Sequence, residues 1–308
     1  MNRRHVTLIA SYSARYSVRG GIGLVFLLLS LTFGLLVAHI MLQPVELGMR
    51  IIHERGHAGS PEEVQKEVLA RITEVAKPVV SWMLSQKTLS ELGDPDRDAD
   101  RWASYMLEER PALLSAIFLI LLFGWPFIVS FGAFDLYASD ISSRQLRYQL
   151  LRADRGSIFF GRLLGMLVTF VAVLVLLGVT VTAYMGLKLP AMYSWGALIP
   201  WALYGTGAMI CVSLPYIALC GWISSAIGAP FASLTVNSLI IGGVPLLATL
   251  GKMTHEYAGY LLYTLPWGFQ TRLFHHEPAQ VGLAVAGCML LTALFTWLGY
   301  RNFTTRDL

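Results

Sequence analysis

The sequence predicts an all-α membrane protein with six transmembrane helices. It also predicts a cytoplasmic amphipathic helix, a helical outer insertion between spans 1 and 2, and re-entrant or interfacial helices between spans 5 and 6. Three observations carry this expectation. Hydrophobic residues make up 55% of the 308 positions and charged residues only 14%, whereas a soluble domain carries about 25% charged residues. About six runs approach the ~20 apolar residues that cross a bilayer. Lys and Arg collect at the run ends that share one side, which places that side in the cytoplasm.

Residues 1–21 form a basic segment with interleaved tyrosines, expected as an interfacial helix with Arg3, Arg4, Arg15 and Arg19 toward lipid phosphates. Span 1 covers 22–42. The outer insertion, 43–111, is acidic. Within it Ser60-Pro61-Glu62-Glu63 reads as a capped helix start. Val64, Val68, Ile72, Val75 and Val79 then make one apolar face, and Pro78 should kink or end that helix. Gly93-Asp94-Pro95 reads as a turn, and Asp98 or Asp100 as the start of a helix through Trp102, Tyr105 and Met106. The insertion should pack on itself or on a partner's copy.

Span 2 covers 112–134. The next stretch, 135–162, carries five arginines close together, Arg144, Arg147, Arg152, Arg155 and Arg162. Read as a helix it has an incomplete apolar side of Ile141, Leu146, Leu150 and Leu151, with start signals at Asp140 with Ser142 and Ser143 and at Asp154 with Ser157. A charged amphipathic segment between two spans belongs at the membrane surface, and its arginines suit charge-assisted bonds to a cytoplasmic protein, with Arg144, Arg147 and Arg152 as the expected contacts. Spans 3 to 5 cover 163–187, 197–219 and 226–250, with a tight turn at Gly221–Gly228. Residues 251–280 are rich in Tyr and Trp, which concentrate at membrane interfaces. Leu265-Pro266-Trp267 divides them into two short helices. Span 6 covers 281–298, and 299–308 form a cytoplasmic tail.

The formal net charge is +4. Its basic residues flank apolar runs and do not alternate with exposed aromatics, so lipid, and not nucleic acid, is the expected contact. Cys211, Cys220 and Cys288 lie inside apolar runs and imply no disulfide framework. The spans carry no Asp, Glu, Lys or Arg away from their ends, which argues against ion coupling at membrane depth. Their prolines (Pro126, Pro200, Pro215, Pro230, Pro245), glycines and Asn237 suit kinks and close packing.

His53-Glu54-Arg55-Gly56-His57 matches H-E-x-x-H, in which two His on one helix face hold zinc and the Glu serves as base. Gly56 and Gly59-Ser60-Pro61 make a poor helical context, so His53 and His57 are weak metal candidates. His275-His276-Glu277 is a second cluster whose adjacent side chains do not chelate one ion from one face. There is no phosphate-binding loop, nucleophile elbow or paired-carboxylate pocket.

Several places in the chain fit one pattern: six spans, Asp135 and Asp140 after the second, Arg155 and Gly161-Arg162 leading into the third, and the Leu265-Pro266-Trp267 break. The ending Phe303-Thr304-Thr305-Arg306-Asp307-Leu308 matches Phe-x-x-Arg-Asp-Leu. These features resemble the membrane subunits of ABC-2-type transporters. Arg144-Gln145-Leu146 stands where the family has Gly-Thr-Leu, and the first outer loop is longer than in minimal members. The resemblance implies a non-catalytic exporter permease in the bacterial cytoplasmic membrane with both termini cytoplasmic. It implies pairing with a second permease copy or paralogue, and ATP and Mg bound by a separate ATP-binding cassette subunit. Residues 135–162 become the coupling segment, with Asp135, Asp140, Arg144, Arg147, Arg152 and Arg155 docking that subunit. Pro266 and Trp267 mark the re-entrant region. Two other classes compete: a zinc-dependent membrane protease using His53, Glu54 and His57, and a scaffold for outer-face partners.

Overall fold

In the computed structural model the described residues are 3–19, 21–54, scattered positions between 67 and 84, 97–190 and 192–306, and they form helices with no strand among them. Six helices are long and apolar enough to cross a membrane: α2 (Gly21–Glu54), α4 (Ala112–Ala133), α7 (Arg155–Lys188), α8 (Trp195–Ile227), α9 (Pro230–Lys252) and α11 (Pro278–Thr305). Each overlaps one of the six apolar runs, so the chain is a multi-pass membrane protein. Shorter helices complete it: α1 (Arg3–Arg19), α3 (Arg97–Ser104) continued by a π-helical turn (Tyr105–Glu109), α5 (Ala138–Ser142), α6 (Gln145–Leu150) and α10 (Trp267–Gln270).

The bundle is built around α4 and α8. In each, 72% of the most apolar window is buried, against 22% in α9 and α11 and 28% in α2. The outer helices therefore present apolar faces such as Leu239, Leu246 and Leu290 to their surroundings, as hydrocarbon permits. Three buried indoles tie the interior together. The indole N–H groups of Trp125 and Trp201 donate to Ser213 Oγ (2.7 Å) and Ser115 Oγ (2.9 Å), both across α4 and α8, and Trp267 donates to the Ile241 carbonyl (2.9 Å). Away from water an unsatisfied donor costs several kcal/mol, so these bonds fix how α4 faces α8 and how α10 sits on α9.

Prolines do not end the helices they occupy. Pro44, Pro126, Pro200, Pro215 and Pro245 lie inside continuous helices. Pro78 is itself helical, with helical residues described at 77 and 80; the expectation that it kinks or ends its helix turns on residues that include Val79, which lies outside the described residues. The expected turn at Gly221–Gly228 is revised. Trp222 stacks on Phe295 of α11 (5.9 Å) and Ile223 is buried, so packing carries α8 on to Ile227. Gly228, left-handed at φ 68°, then ends it, and Pro230 opens α9 at its first turn.

The N-terminal segment is helical, as expected of an interfacial helix, but one side of it seats on α7. A Cβ at Gly161 would stand 2.7 Å from Ile9 Cβ, and one at Gly165 2.7 Å from the Ala10 carbonyl oxygen. Only glycine allows this approach. Tyr12 and Tyr16 stack on the exposed side.

At the other end of the bundle the described residues of the insertion pack on the bundle and also on one another, with Lys77 Nζ 3.0 Å from Glu108 Oε1. Trp102, Ala103, Met106 and Leu107 join the main core, and Trp102 Nε1–H donates to the Phe274 carbonyl (2.7 Å). Val68 and Leu84 reach the same core. The Ser60 helix start, Val64, Ile72, Val75, Val79 and the Gly93–Pro95 turn lie outside the described residues. The region before α11 is broken as read: a 3₁₀ helix (Glu256–Thr264), the Leu265-Pro266 break, α10, and a second 3₁₀ turn (Thr271–Phe274). Trp267, Gln270 and Phe274 are buried there.

Replacing Gly165 with Leu forces α1 off α7. We expect a loss of about 1–3 kcal/mol and new trypsin cleavage after Arg15 or Arg19. Unchanged cleavage and an unchanged unfolding midpoint would show that the glycine contact does not hold α1.

Candidate functional site

The arginine-rich stretch folds into a helical hairpin at the end of the bundle that carries α1. Its roots are local. After α4, Asp135 Oδ1 accepts the Ser139 N–H (2.8 Å) and so caps α5. The N–H groups of Tyr137 and Ala138 both donate to Ser224 Oγ of α8 (2.9 and 3.0 Å). One hydroxyl thus satisfies two donors that a helix start leaves open. The Tyr137 ring stacks on Phe159 of α7 (5.1 Å) and meets Phe303 of α11 (5.2 Å), while its hydroxyl donates to the Phe159 carbonyl (2.9 Å). Leu136, Leu146, Ile158, Phe159 and Phe303 close a small second core under the hairpin.

The charge at the base is internal. Asp140 is buried and forms an ion pair with Arg162 of α7, which also donates to the Leu136 carbonyl (3.2 Å). Asp154 caps α7: its carboxylate accepts the Ser157 N–H (3.1 Å) and hydroxyl (2.7 Å). The Ser157 bonds hold the Asp154 carboxyl below its ordinary pKa of 3.8. Arg155 Nη1 donates to the carbonyls of Thr304 and Arg306 at the end of α11. Arg306 in turn donates to the Ser225 and Ala226 carbonyls (2.7 and 3.0 Å) at the end of α8. A chain of guanidinium contacts therefore latches α7, α11 and α8 together. Asp307 and Leu308 lie outside the described residues.

The six residues expected to dock a partner accordingly divide. Asp135 and Asp140 hold the base of the hairpin, and Arg155 bonds to the end of α11. Arg144, Arg147 and Arg152 are exposed, together with Tyr148 (74%) and Leu151 (83%). Leu151 therefore does not belong to the apolar side; Leu146 is buried and Ile141 and Leu150 half-buried. The start signal at Asp154 with Ser157 caps α7, but Asp140 with Ser142 and Ser143 caps nothing. The break there falls at Arg144, whose backbone is left-handed at φ 60°. That conformation costs a non-glycine residue roughly 1–2 kcal/mol, and such strain marks sites held by their surroundings. Tyr137 and Ser224 were not legible as site residues, because their partners come from distant helices, and Phe303 was legible only as part of the C-terminal ending.

The H-E-x-x-H segment is not assembled among the described residues. α2 ends at Glu54, and His57 lies outside them, as do the side chains of His53 and Glu54. Of the nearby carboxylates, Glu67 pairs with Arg71 (2.8 Å).

Removing either member of the buried pair leaves a lone charge. Asp140→Ala or Arg162→Ala should each cost about 3–5 kcal/mol, and Asp140→Asn with Arg162→Gln should recover most of the loss. Denaturant unfolding of the four proteins checks this; equal losses in single and double variants would deny the coupling. The Asp154 cap has its own signature. A carboxyl held below 3.8 stabilises the fold above that pH and loses this contribution as pH falls below it. Asp154→Ala should therefore lower the melting point at neutral pH and flatten its acid dependence, while Asp154→Asn keeps the cap.

Compared with models of known protein families and with curated proteins, this chain matches none.

Proposed function

We propose that this chain is the membrane-spanning subunit of an ABC-2-type transporter, working as an exporter permease. The observation that carries the reading is the α5–α6 hairpin. It presents Arg144, Arg147 and Arg152 around Tyr148 and Leu151, and it is rooted in α7 and α8 by Arg162 and Ser224. Exposed guanidiniums around an aromatic and an aliphatic anchor make a protein-docking surface. A separate ATP-binding cassette subunit fits it, with ATP and Mg bound there and none in this chain.

On this reading the hairpin, α1 and the end of α11 face the cytoplasm. A force on the hairpin passes directly to α4 through the chain, to α7 through Arg162 and to α8 through Ser224, and Phe303 brings in α11. The bundle then responds to closure of the ATPase as connected helices and not as a loose loop. A second permease copy or paralogue supplies the other wall of the path. Chemistry stays in the partner, so this subunit is not an enzyme. The broken region at Pro266 and Trp267 is the re-entrant part of the outer end.

The triple change Arg144→Glu, Arg147→Glu, Arg152→Glu reverses the exposed charge without touching the base of the hairpin. Recovery of a co-purified nucleotide-binding subunit should fall at least tenfold, about 1.4 kcal/mol of docking, with the melting point unchanged. Full recovery would remove the basis of the reading. Arg144→Gly should raise stability by about 1 kcal/mol through relief of the left-handed residue while weakening docking.

A further inference from the structure

The end of the bundle away from the hairpin brings together side chains that the sequence keeps far apart. Asp98, one residue inside α3, lies against His275 and His276, which precede α11. His275 Nε2 stands 3.4 Å from Asp98 Oδ2 and His276 Nε2 3.8 Å from Asp98 Oδ1. One ligand atom from each of the three lies within 4.8 Å of the others. The two imidazoles are stacked with centroids 4.4 Å apart, so adjacent residues here point the same way.

We propose that Asp98, His275 and His276 form a binding site for a divalent transition ion of the zinc class, joining the insertion to the base of α11. Zinc takes nitrogen and oxygen ligands at about 2.0–2.2 Å in a tetrahedron, which sets ligand atoms roughly 3.3–3.5 Å apart. The two Asp98–ring distances, 3.4 and 3.8 Å, approach this spacing, and a small movement of the rings, whose ligand atoms lie within 4.8 Å of each other, completes it. Calcium and magnesium prefer all-oxygen shells, so two imidazoles select against them. Glu277 supplies a further carboxylate, 3.9 Å from His276 Nε2, for the fourth position or for a bound water.

The surroundings are those of a positioned site. Trp102 packs on His275 with centroids 4.6 Å apart, and its indole bond to the Phe274 carbonyl sets α3 against the segment that carries both histidines. The Glu277 N–H donates to His275 Nδ1 (3.0 Å), so without an ion Nε2 carries the proton and faces Asp98. Binding at Nε2 shifts that proton to Nδ1 through exchange with water, with no net change in ring charge, and opens the Glu277 amide contact. The ion therefore replaces the Glu277 amide contact and the direct ring contact to Asp98 with bonds through the metal. The site is independent of the transport reading and of the H-E-x-x-H segment.

The test is zinc binding to metal-stripped, detergent-solubilised full chain, followed by competition with a chromophoric chelator. One equivalent should bind. Asp98→Asn and His276→Gln should each weaken it at least tenfold, and His53→Ala with His57→Ala should leave it unchanged. Cobalt should give the visible absorption of a tetrahedral site, lost in Asp98→Asn. Zinc should also raise the melting point of the parent and not of that variant. Asp98 is largely exposed, with 64% of its side chain accessible, so Asp98→Asn carries the test if His276→Gln proves unstable. Failure to bind one equivalent, binding that Asp98→Asn leaves intact, or binding lost with His53 and His57 would each overturn the site.

Discussion

The pairing of Arg162 with Asp140 is the contact on which the arginine-bearing end of this protein depends. A guanidinium near the edge of a membrane core needs an anion and acceptors, because the medium offers few. Here the anion comes from the hairpin and the guanidinium from α7, so the requirement itself brings the two together. Tyr137 then fills the space between α7 and α11, and Ser224 takes the open amides of α5. With these in place the hairpin has a fixed base, and Arg144, Arg147 and Arg152 can only face outward. Remove the pair and the same arginines would sit on a segment with nothing to set its orientation.

The same rule operates within the bundle. Trp125, Trp201 and Trp267 each carry one N–H that must find an acceptor, and Ser213, Ser115 and the Ile241 carbonyl supply them. These bonds are directional, whereas apolar contacts between helices in hydrocarbon are not. They therefore decide rotation and depth, and dispersion fills the remaining space. The placement of α4 and α8 at the centre follows: they hold four of the partners in these bonds and show the largest buried share.

At the opposite end, the described residues of the insertion are part of the bundle. Trp102 binds the Phe274 carbonyl, and Arg110 lies over both Tyr105 and Trp201 (5.0 and 5.1 Å to the ring centroids). Movement of α11 or of the broken Trp267–Phe274 region is therefore felt by α3. The two ends of the molecule are linked through the long helices α7, α8 and α11, each of which takes part in polar contacts or ring packing at both.

The sequence by itself determined the six spans, their approximate limits, the broken region at Leu265-Pro266 and the Asp154 cap. Each of these is a property of contiguous residues: apolar length, a proline, a carboxylate three positions before an amide. It also marked residues 135–162 as the stretch of interest, through the density of arginine. It did not determine which arginines face outward. Arg144, Arg147 and Arg152 are of one type with Arg155 and Arg162, in one short stretch, and composition treats them alike. Their roles diverge because Asp140 and the end of α11 lie beside α7 in space, and helix phase relative to those neighbours is decided only when all are packed. The Asp98–His275–His276 cluster was illegible for the same reason. Two adjacent histidines acquire a shared third ligand only when α3 docks, and that docking rests on a hydrogen bond between residues in distant parts of the chain.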